Sequence, residues 1–349
     1  MISRRWVSRM VPGLVGIMLT VAVTVGPASA ATADFSKSPK VVLRLTSASP
    51  PGMEDSKAFN DTVEFLKKET DGTVVLQPFY SSSLFDEIAG MGAVQSGLID
   101  MAVACTCNMT KQTSDYLFSD VPYLWRGMDN GRQVWDGLIG ARIKKDLTEK
   151  LGMIPVAYSP SGGGYRILWN NKHAVKVPAD MQGMKIRTTA TPIEQQFWKG
   201  MGAIPTPVDV KEIYTALQQG LVDAEHLQPV WLTLLKHDEV VKYGTEIGAL
   251  AVYRVVMIGK KSYDRMDAAQ KEAFGKAMKF YEEKAYAYNR ALGAESLAQV
   301  RKRGIQLHTP TPEEMKQWRD YGARFMQSDV VRSSVSKETL DEAIAAQAK

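Results

Sequence analysis

The stretch Val94–Val103, "VQSGLIDMAV", is nearly repeated at Leu217–His226 as "LQQGLVDAEH". Both copies read Gln-x-Gly-Leu-aliphatic-Asp. Apolar residues precede each glycine at helical spacing, and in the first copy an apolar run follows it. A glycine in that place can take the left-handed cap conformation that closes a helix, and "LIDMAVA" then reads as a strand feeding a loop. Two equivalent units, one in each of two lobes, would account for the repetition. Chance recurrence of a common helix-glycine-strand pattern would account for it as well.

Outward from the first copy, "VVLRLTSAS" (Val41–Ser49) predicts a strand. A helix follows, with Phe59, Val63 and Leu66 on one face and Asp71-Gly72 at its end. "TVVLQPFY" predicts a second strand and residues 84–96 a second helix. Strand, helix, strand, helix, strand is the order of a mostly parallel sheet with helices on its faces. Around the second copy, "GMKIRTTA" (Gly183–Ala190) predicts a strand and "TPIEQQFWKGMG" a helix. Asp209 and Glu212 have the spacing of a capping box, ahead of a face formed by Val210, Ile213, Tyr214, Leu217 and Leu221. No proline interrupts Asp267–Arg303, where Phe274, Met278, Tyr281, Ala285, Tyr288 and Leu292 keep helical spacing. Such a helix would run about 55 Å, beyond the ~30 Å of a small domain, so it must cross both lobes or bend, with Gly275 and Gly293 the places for a bend. "GIQLHTPTPEEMKQW" then predicts a strand, a proline-bounded loop and a helix led by Thr311.

The first thirty residues carry Arg4, Arg5 and Arg9, an apolar run from Val11 to Val25, and Ala28-Ser29-Ala30. That order is a secretory signal peptide cleaved after Ala30; the run is too short, and too rich in Pro12, Gly13 and Gly16, to span a bilayer. "SRRW" echoes a twin-arginine signal. Without the leader arginines the chain has 40 basic against 38 acidic side chains, a net of +2, which removes support for a nucleic-acid or polybasic membrane role. About 320 residues remain, enough for two lobes with cores of their own. The two cysteines, Cys105 and Cys107 in "ACTCN", are expected as unpaired structural or cleft-lining thiols, because alternate residues of a strand point to opposite faces. His173, His226, His237 and His308 show no metal-ligand spacing.

Gly-x-Ser-x-Gly, His-Glu-x-x-His, the Walker loop and Gly-x-Gly-x-x-Gly are all missing from the sequence. "SGGGYRILW" (Ser161–Trp169) is followed by a strand rather than a helix, so its glycines suit close backbone approach or hinge freedom rather than phosphate. Arg166 and Arg187 each sit in a predicted strand, where a guanidinium is costly unless paired. Each could be salt-bridged internally, or could offer its fork to a ligand carboxylate.

"GYRILWNNKHAVKVPADMQGMKIRTTATP" with "MGAIPTPVDVKEIYTALQQGLVDAE" resembles the solute receptors of tripartite ATP-independent periplasmic (TRAP) transporters of the DctP type. "ETDGTVVLQPFYSSSL", "AVQSGLIDMA", "DVPYLW" and the long helix extend the resemblance over nearly the whole exported chain. It implies an α/β fold of two lobes closing on a ligand cleft, with a long helix across both. Lobe I would take residues 40–163 and 253–293, lobe II residues 164–252 and 294–349. It further implies a periplasmic, non-enzymatic receptor, monomeric and without cofactor, that delivers a small organic acid to membrane permease subunits. Arg187 becomes the main carboxylate clamp and Arg166 its assistant. Gln228, Cys105, Asn108, Glu87, His226, Trp169 and Tyr214 complete the candidate ligand-binding set. The chain departs from the family at "AEHLQP", one residue longer than the usual Gly-Gln-Glu-Asn-Pro, so Gln228 or His226 would replace the cleft asparagine; "RTTA" replaces Arg-Val-Pro. One branch of the family holds a metal near the positions of Asp223 and Glu225. Tyr80, Tyr123, Tyr165 and Trp169 could stack on an aromatic acid or belong to the core. A sensing subunit, a receptor for another importer and a periplasmic hydrolase are the competing functions.

Overall fold

The order of elements follows the chain's hydrophobic periodicity closely in the computed structural model, which describes residues 34–347. The expected signal peptide and its cleavage after Ala30 lie outside the described residues. The chain begins β1 (Val41–Thr46), α1 (Glu54–Glu69), β2 (Val74–Phe79), α2 (Glu87–Ser96), β3 (Met101–Cys105) and a one-turn α3 (Thr106–Met109). Helices α4 (Gly131–Trp135) and α5 (Leu138–Leu151) lead into β4 (Met153–Pro160). Next come β5 (Ile167–Asn170), β6 (Lys185–Thr188), α6 (Pro192–Lys199), β7 (Ile204–Pro207) and α7 (Ile213–Gln218). They are followed by β8 (Ala224–Leu227), α8 (Pro229–Leu234), β9 (Tyr243–Thr245), β10 (Tyr253–Gly259) and α9 (Lys260–Tyr263). The chain closes with α10 (Ala268–Lys302), β11 (Gln306–His308), α11 (Pro312–Met326), α12 (Asp329–Ser334) and α13 (Lys337–Ala346).

Two sheets result, ordered β2-β1-β3-β10-β4 and β11-β9-β5-β8-β6-β7. In the first, β1 pairs in parallel with β2 and β3, but β10 is antiparallel to both β3 and β4. The sheet is therefore more mixed than the sequence suggests, because β10 enters it on a return from the second sheet. The two crossing segments hold each other: Ser161 N–H donates to Val252 O at 2.9 Å and Arg166 N–H to Leu250 O at 2.9 Å.

The repeated motif occupies matching places. Gly97 (φ 82°) closes α2 ahead of β3, and Gly220 (φ 70°) follows α7 ahead of β8. Val94 and Leu217 are buried, Leu98 and Leu221 exposed, Ile99 and Val222 buried again. Asp100 then accepts the backbone N–H of Arg44 beside β3 (2.8 Å), and Asp223 that of Lys185 beside β8 (3.1 Å). In both sheets the motif's aspartate thus satisfies a donor on the neighbouring parallel strand, which fixes how the two strands align. Asp209 caps only a short 3-10 turn (Val210–Glu212), through Lys211 N–H at 3.0 Å, so α7 starts later than a capping box would have it.

The long helix forms as one element of 35 residues with a capping box between Asp267 and Gln270. Tyr281 stacks on Phe59 of α1 (centroids 4.2 Å apart), and Glu282 accepts Tyr158 N–H of β4 at 2.8 Å. Toward its other end, Ser296 pairs with Thr233 of α8 at 3.1 Å. Between these contacts, Asn289 accepts Gly163 N–H at 2.7 Å, and the backbones of Gly163 and Gly293 touch. The glycine run therefore serves close approach to α10. The C-terminal helices divide: α12 packs on α6, while α13 packs on α4 and α5 beside the first sheet, although the sequence reading assigned 294–349 entirely to lobe II.

A Cβ on Gly293 would lie 2.0 Å from Gly163 O, whereas one on Gly275 meets nothing within 4 Å. Gly275→Ala should stabilise by about 0.5–1 kcal/mol, as expected for an exposed helical glycine, and Gly293→Ala should destabilise by about 1–3 kcal/mol through overpacking. Urea unfolding of the pair tests this; equal effects would refute the close crossing.

Candidate functional site

The carboxyl ends of the parallel strands converge on one cleft of about 330 Å³. Ala48 follows β1, Ser82 follows β2, and Cys105–Asn108 end β3. From the second sheet come Arg187–Ala190 at the end of β6, Pro207–Lys211 after β7, and Leu227–Gln228 at the end of β8. The crossing segments add Ser161, Arg166, Val252 and Arg254. This is the position at which open α/β sheets bind ligands, since loops there converge while strands fix their roots.

Three buried arginines face this cleft, and their partners differ. Arg166 donates from Nη1 to Glu194 Oε1 at 2.7 Å. The other oxygen of Glu194 accepts Thr189 N–H at 2.9 Å and the Thr189 hydroxyl, while Thr191 caps α6 at Glu194 N–H. Thr189 of "RTTA" and Thr191 just after it thereby anchor the acid that orients Arg166. Arg254 on β10 pairs from Nη1 with Glu87 at 2.8 Å and lies 3.9 Å from Asp55. Arg187 donates from Nε to Val208 O at 2.9 Å, and no carboxylate of the described residues comes within ion-pair distance of it. Burial pulls its pKa below the usual guanidinium range, with Glu194 opposing the shift. A guanidinium held this way presents its remaining donors to a planar, bidentate anion.

Glu87, at the start of α2, ties the opposite wall together. One oxygen takes Arg254, the other accepts Cys105 N–H at 2.9 Å and Asn108 Nδ2 at 2.8 Å. Contrary to the expectation of unpaired thiols, Cys105 and Cys107 form a disulfide with their Cα atoms 5.1 Å apart. The opposite-faces argument fails because β3 ends at Cys105 and the chain turns at once into α3, bringing the two side chains to the same side. Gln228, at the N-cap of α8, lines the cleft.

Three of the expected ligand residues lie elsewhere. His226 is fully buried against Trp198, in a small second cavity with Asp120 and Glu194, and burial drives its pKa well below the usual range. Trp169 is core, its Nε1 donating to Leu227 O at 2.9 Å. Tyr214 lies at a tilt beside His237, with centroids 6.5 Å apart, and its hydroxyl reaches Glu239. Tyr80, Tyr123 and Tyr165 are also absent from the cleft wall, whose aromatic side chain is Trp231. Glu225 is held by His237 at 3.0 Å, and Asp223 by Lys185 N–H and Lys172. Sequence reasoning missed Arg254, although a lone arginine in the apolar run "AVYRVVMIG" gives the signal that singled out Arg166 and Arg187.

Behind the cleft, Glu54 accepts Gly162 N–H of the crossing segment at 2.7 Å. Burial, and then the charge of Asp55, push its pKa up from 4.5 to about 8. The folded state therefore holds this proton more tightly than the unfolded chain, and the associated stability, full below about pH 4.5, is lost as pH rises through about 8. Glu54→Gln keeps an acceptor for Gly162 and should flatten that decline, so the variant's advantage in unfolding free energy should grow from pH 5 to pH 8.5. A constant difference across that range would refute the assignment.

The sequence profile of bacterial extracellular solute-binding protein family 7 (DctP) matches residues 45–330. The 2,3-diketo-L-gulonate-binding periplasmic protein YiaO of Escherichia coli is 31% identical over 247 residues, covering 70% of this chain and 72% of that one. A TRAP periplasmic solute-binding protein from Ochrobactrum anthropi, solved with its C-terminus in the ligand pocket, shares 26% identity with TM-score 0.80, over 89% of this chain and 95% of that one. The sugar acid binding protein DctPAm from Advenella mimigardefordensis superposes with TM-score 0.82 at 21% identity, over 89% and 98% of the two chains. With a profile spanning most of the chain and a shared two-lobed fold, this protein belongs to the DctP family of TRAP solute-binding receptors.

Proposed function

We propose that the protein captures a small organic acid in the periplasm, between its two lobes, and passes it to the membrane permease of a TRAP transporter. The observation that carries this reading is the buried Arg187 guanidinium, which faces the cleft with no acid partner of its own. The ligand carboxylate pairs with it, and Arg166, oriented by Glu194, adds a second donor. Gln228, Asn108 and the Cys105–Cys107 turn shape the remainder. Residues 40–163 with 253–293 act as one lobe and 164–252 with most of 294–349 as the other, closing about the crossing segments. The leader is removed after Ala30 on export, and the receptor works as a monomer without metal. The permease reads the surface formed on closure. YiaO's name specifies a keto sugar acid, and a cleft wall with Trp231 as its one aromatic among the described residues supports hydroxy and keto acids over aromatic ones.

Truncating one partner of a buried charge pair costs about 2–5 kcal/mol. For whichever acid gives the largest thermal shift in a carboxylate panel, Arg187→Ala should weaken binding at least about ten-fold by calorimetry, and Arg187→Lys should not restore it. Unchanged affinity in Arg187→Ala would overturn the proposal.

A further inference from the structure

We infer that the cleft selects acids with a single negative charge, their remaining oxygens being hydroxyl or keto groups, and discriminates against diacids. The inference rests on Arg187 as the carboxylate clamp, and extends it through the charges around the other two arginines. Arg166 is neutralised by Glu194 at 2.7 Å, both side chains being buried. Arg254 is neutralised by Glu87 at 2.8 Å and has Asp55 a further 3.9 Å away. Lys111 and Lys211 lie at the exposed rim with Asp86 and Asp209, where water screens their charge. Of the buried cleft cations among the described residues, Arg187 alone has no acid within ion-pair distance, so the interior compensates one ligand carboxylate.

A second carboxylate reaching across the cleft would meet Arg254 only alongside Glu87 and Asp55. In a desolvated site that is a like-charge encounter, and unpaired buried charge is what specificity against a wrong ligand is built from. Neutral oxygens fare differently. Glu87 can accept a hydroxyl proton beyond its present bonds, since a carboxylate offers about four lone-pair directions. The side-chain amide of Gln228 has no hydrogen-bond partner among the described residues, nor do Nε and Nη2 of Arg254. These groups suit hydroxyl and keto oxygens, which bring dipoles without charge.

The test uses matched acids differing at one terminus: galactonate with galactarate, gluconate with glucarate, and 2-hydroxybutyrate with malate. Binding to the mature protein is measured by calorimetry near pH 7.5, where every carboxylate is ionised. The monoacid of at least one pair should bind, with its diacid at least about ten-fold weaker. Glu87→Gln, which removes the repelling charge, should narrow that gap by about ten-fold. A diacid binding as tightly as its monoacid, or tighter, overturns the inference; if both are lost in Arg187→Ala, the clamp itself stands. Acids binding equally well to Arg187→Ala overturn both readings, as does the absence of binding by every acid. Should Glu87→Gln fail to fold, the wild-type comparison decides alone.

Discussion

A buried guanidinium without an internal counter-ion is the constraint on which this architecture turns. Placing Arg187 in β6 beneath the cleft costs the chain several kcal/mol of desolvation that its single bond to Val208 O cannot recover. The neighbouring arginines show what the fold does when it wants a charge settled: Arg166 is given Glu194, and Arg254 is given Glu87 with Asp55 behind it. The contrast is local and chemical. Two of the three buried cleft arginines have their charge cancelled by a neighbouring acid, and Arg187 does not.

The fold brings such groups together by using one local device twice. Each helix-glycine-strand unit ends in an aspartate that accepts an N–H from the adjoining parallel strand, Arg44 in one sheet and Lys185 in the other. That bond sits at the start of the strand, so the strand's far end is delivered to the cleft in a set register. Cys105 and Asn108 arrive from one side, Leu227 and Gln228 from the other. The crossing segments and α10 then bind the halves, with contact between Gly163 and Gly293 letting the helix lie against the crossing chain.

The two-lobed α/β plan, the long helix and the buried cleft positions of Arg166 and Arg187 were legible because each rests on periodicity or on a charge where periodicity forbids one. Arg254 carried the same mark and was overlooked. The face of a strand was harder to read. Along β8 the side chains alternate, so Leu227 reaches the cleft while His226 turns toward Trp198, and one residue of offset separates a cleft-lining residue from a core histidine. The disulfide was missed for a related reason: the pairing depends on β3 stopping at Cys105, and strand ends are poorly marked in sequence. Trp169 and Tyr214 are aromatic residues close in sequence to the arginine segments, yet Trp169 packs into its own sheet's core and Tyr214 turns toward His237 and Glu239.

If Arg187 is retained for ligand and not for the fold, an apolar replacement of similar length should relieve the ligand-free protein. The direct measurement is the melting temperature of Arg187→Met beside the wild type, each stripped of ligand and then titrated with acids. The account predicts that the empty variant melts no lower than the wild type, and higher if the cavity repacks, while no acid raises its melting point. A variant that melts several degrees lower when empty, yet still responds to acids, would show that Arg187 holds the structure and that the ligand is bound elsewhere.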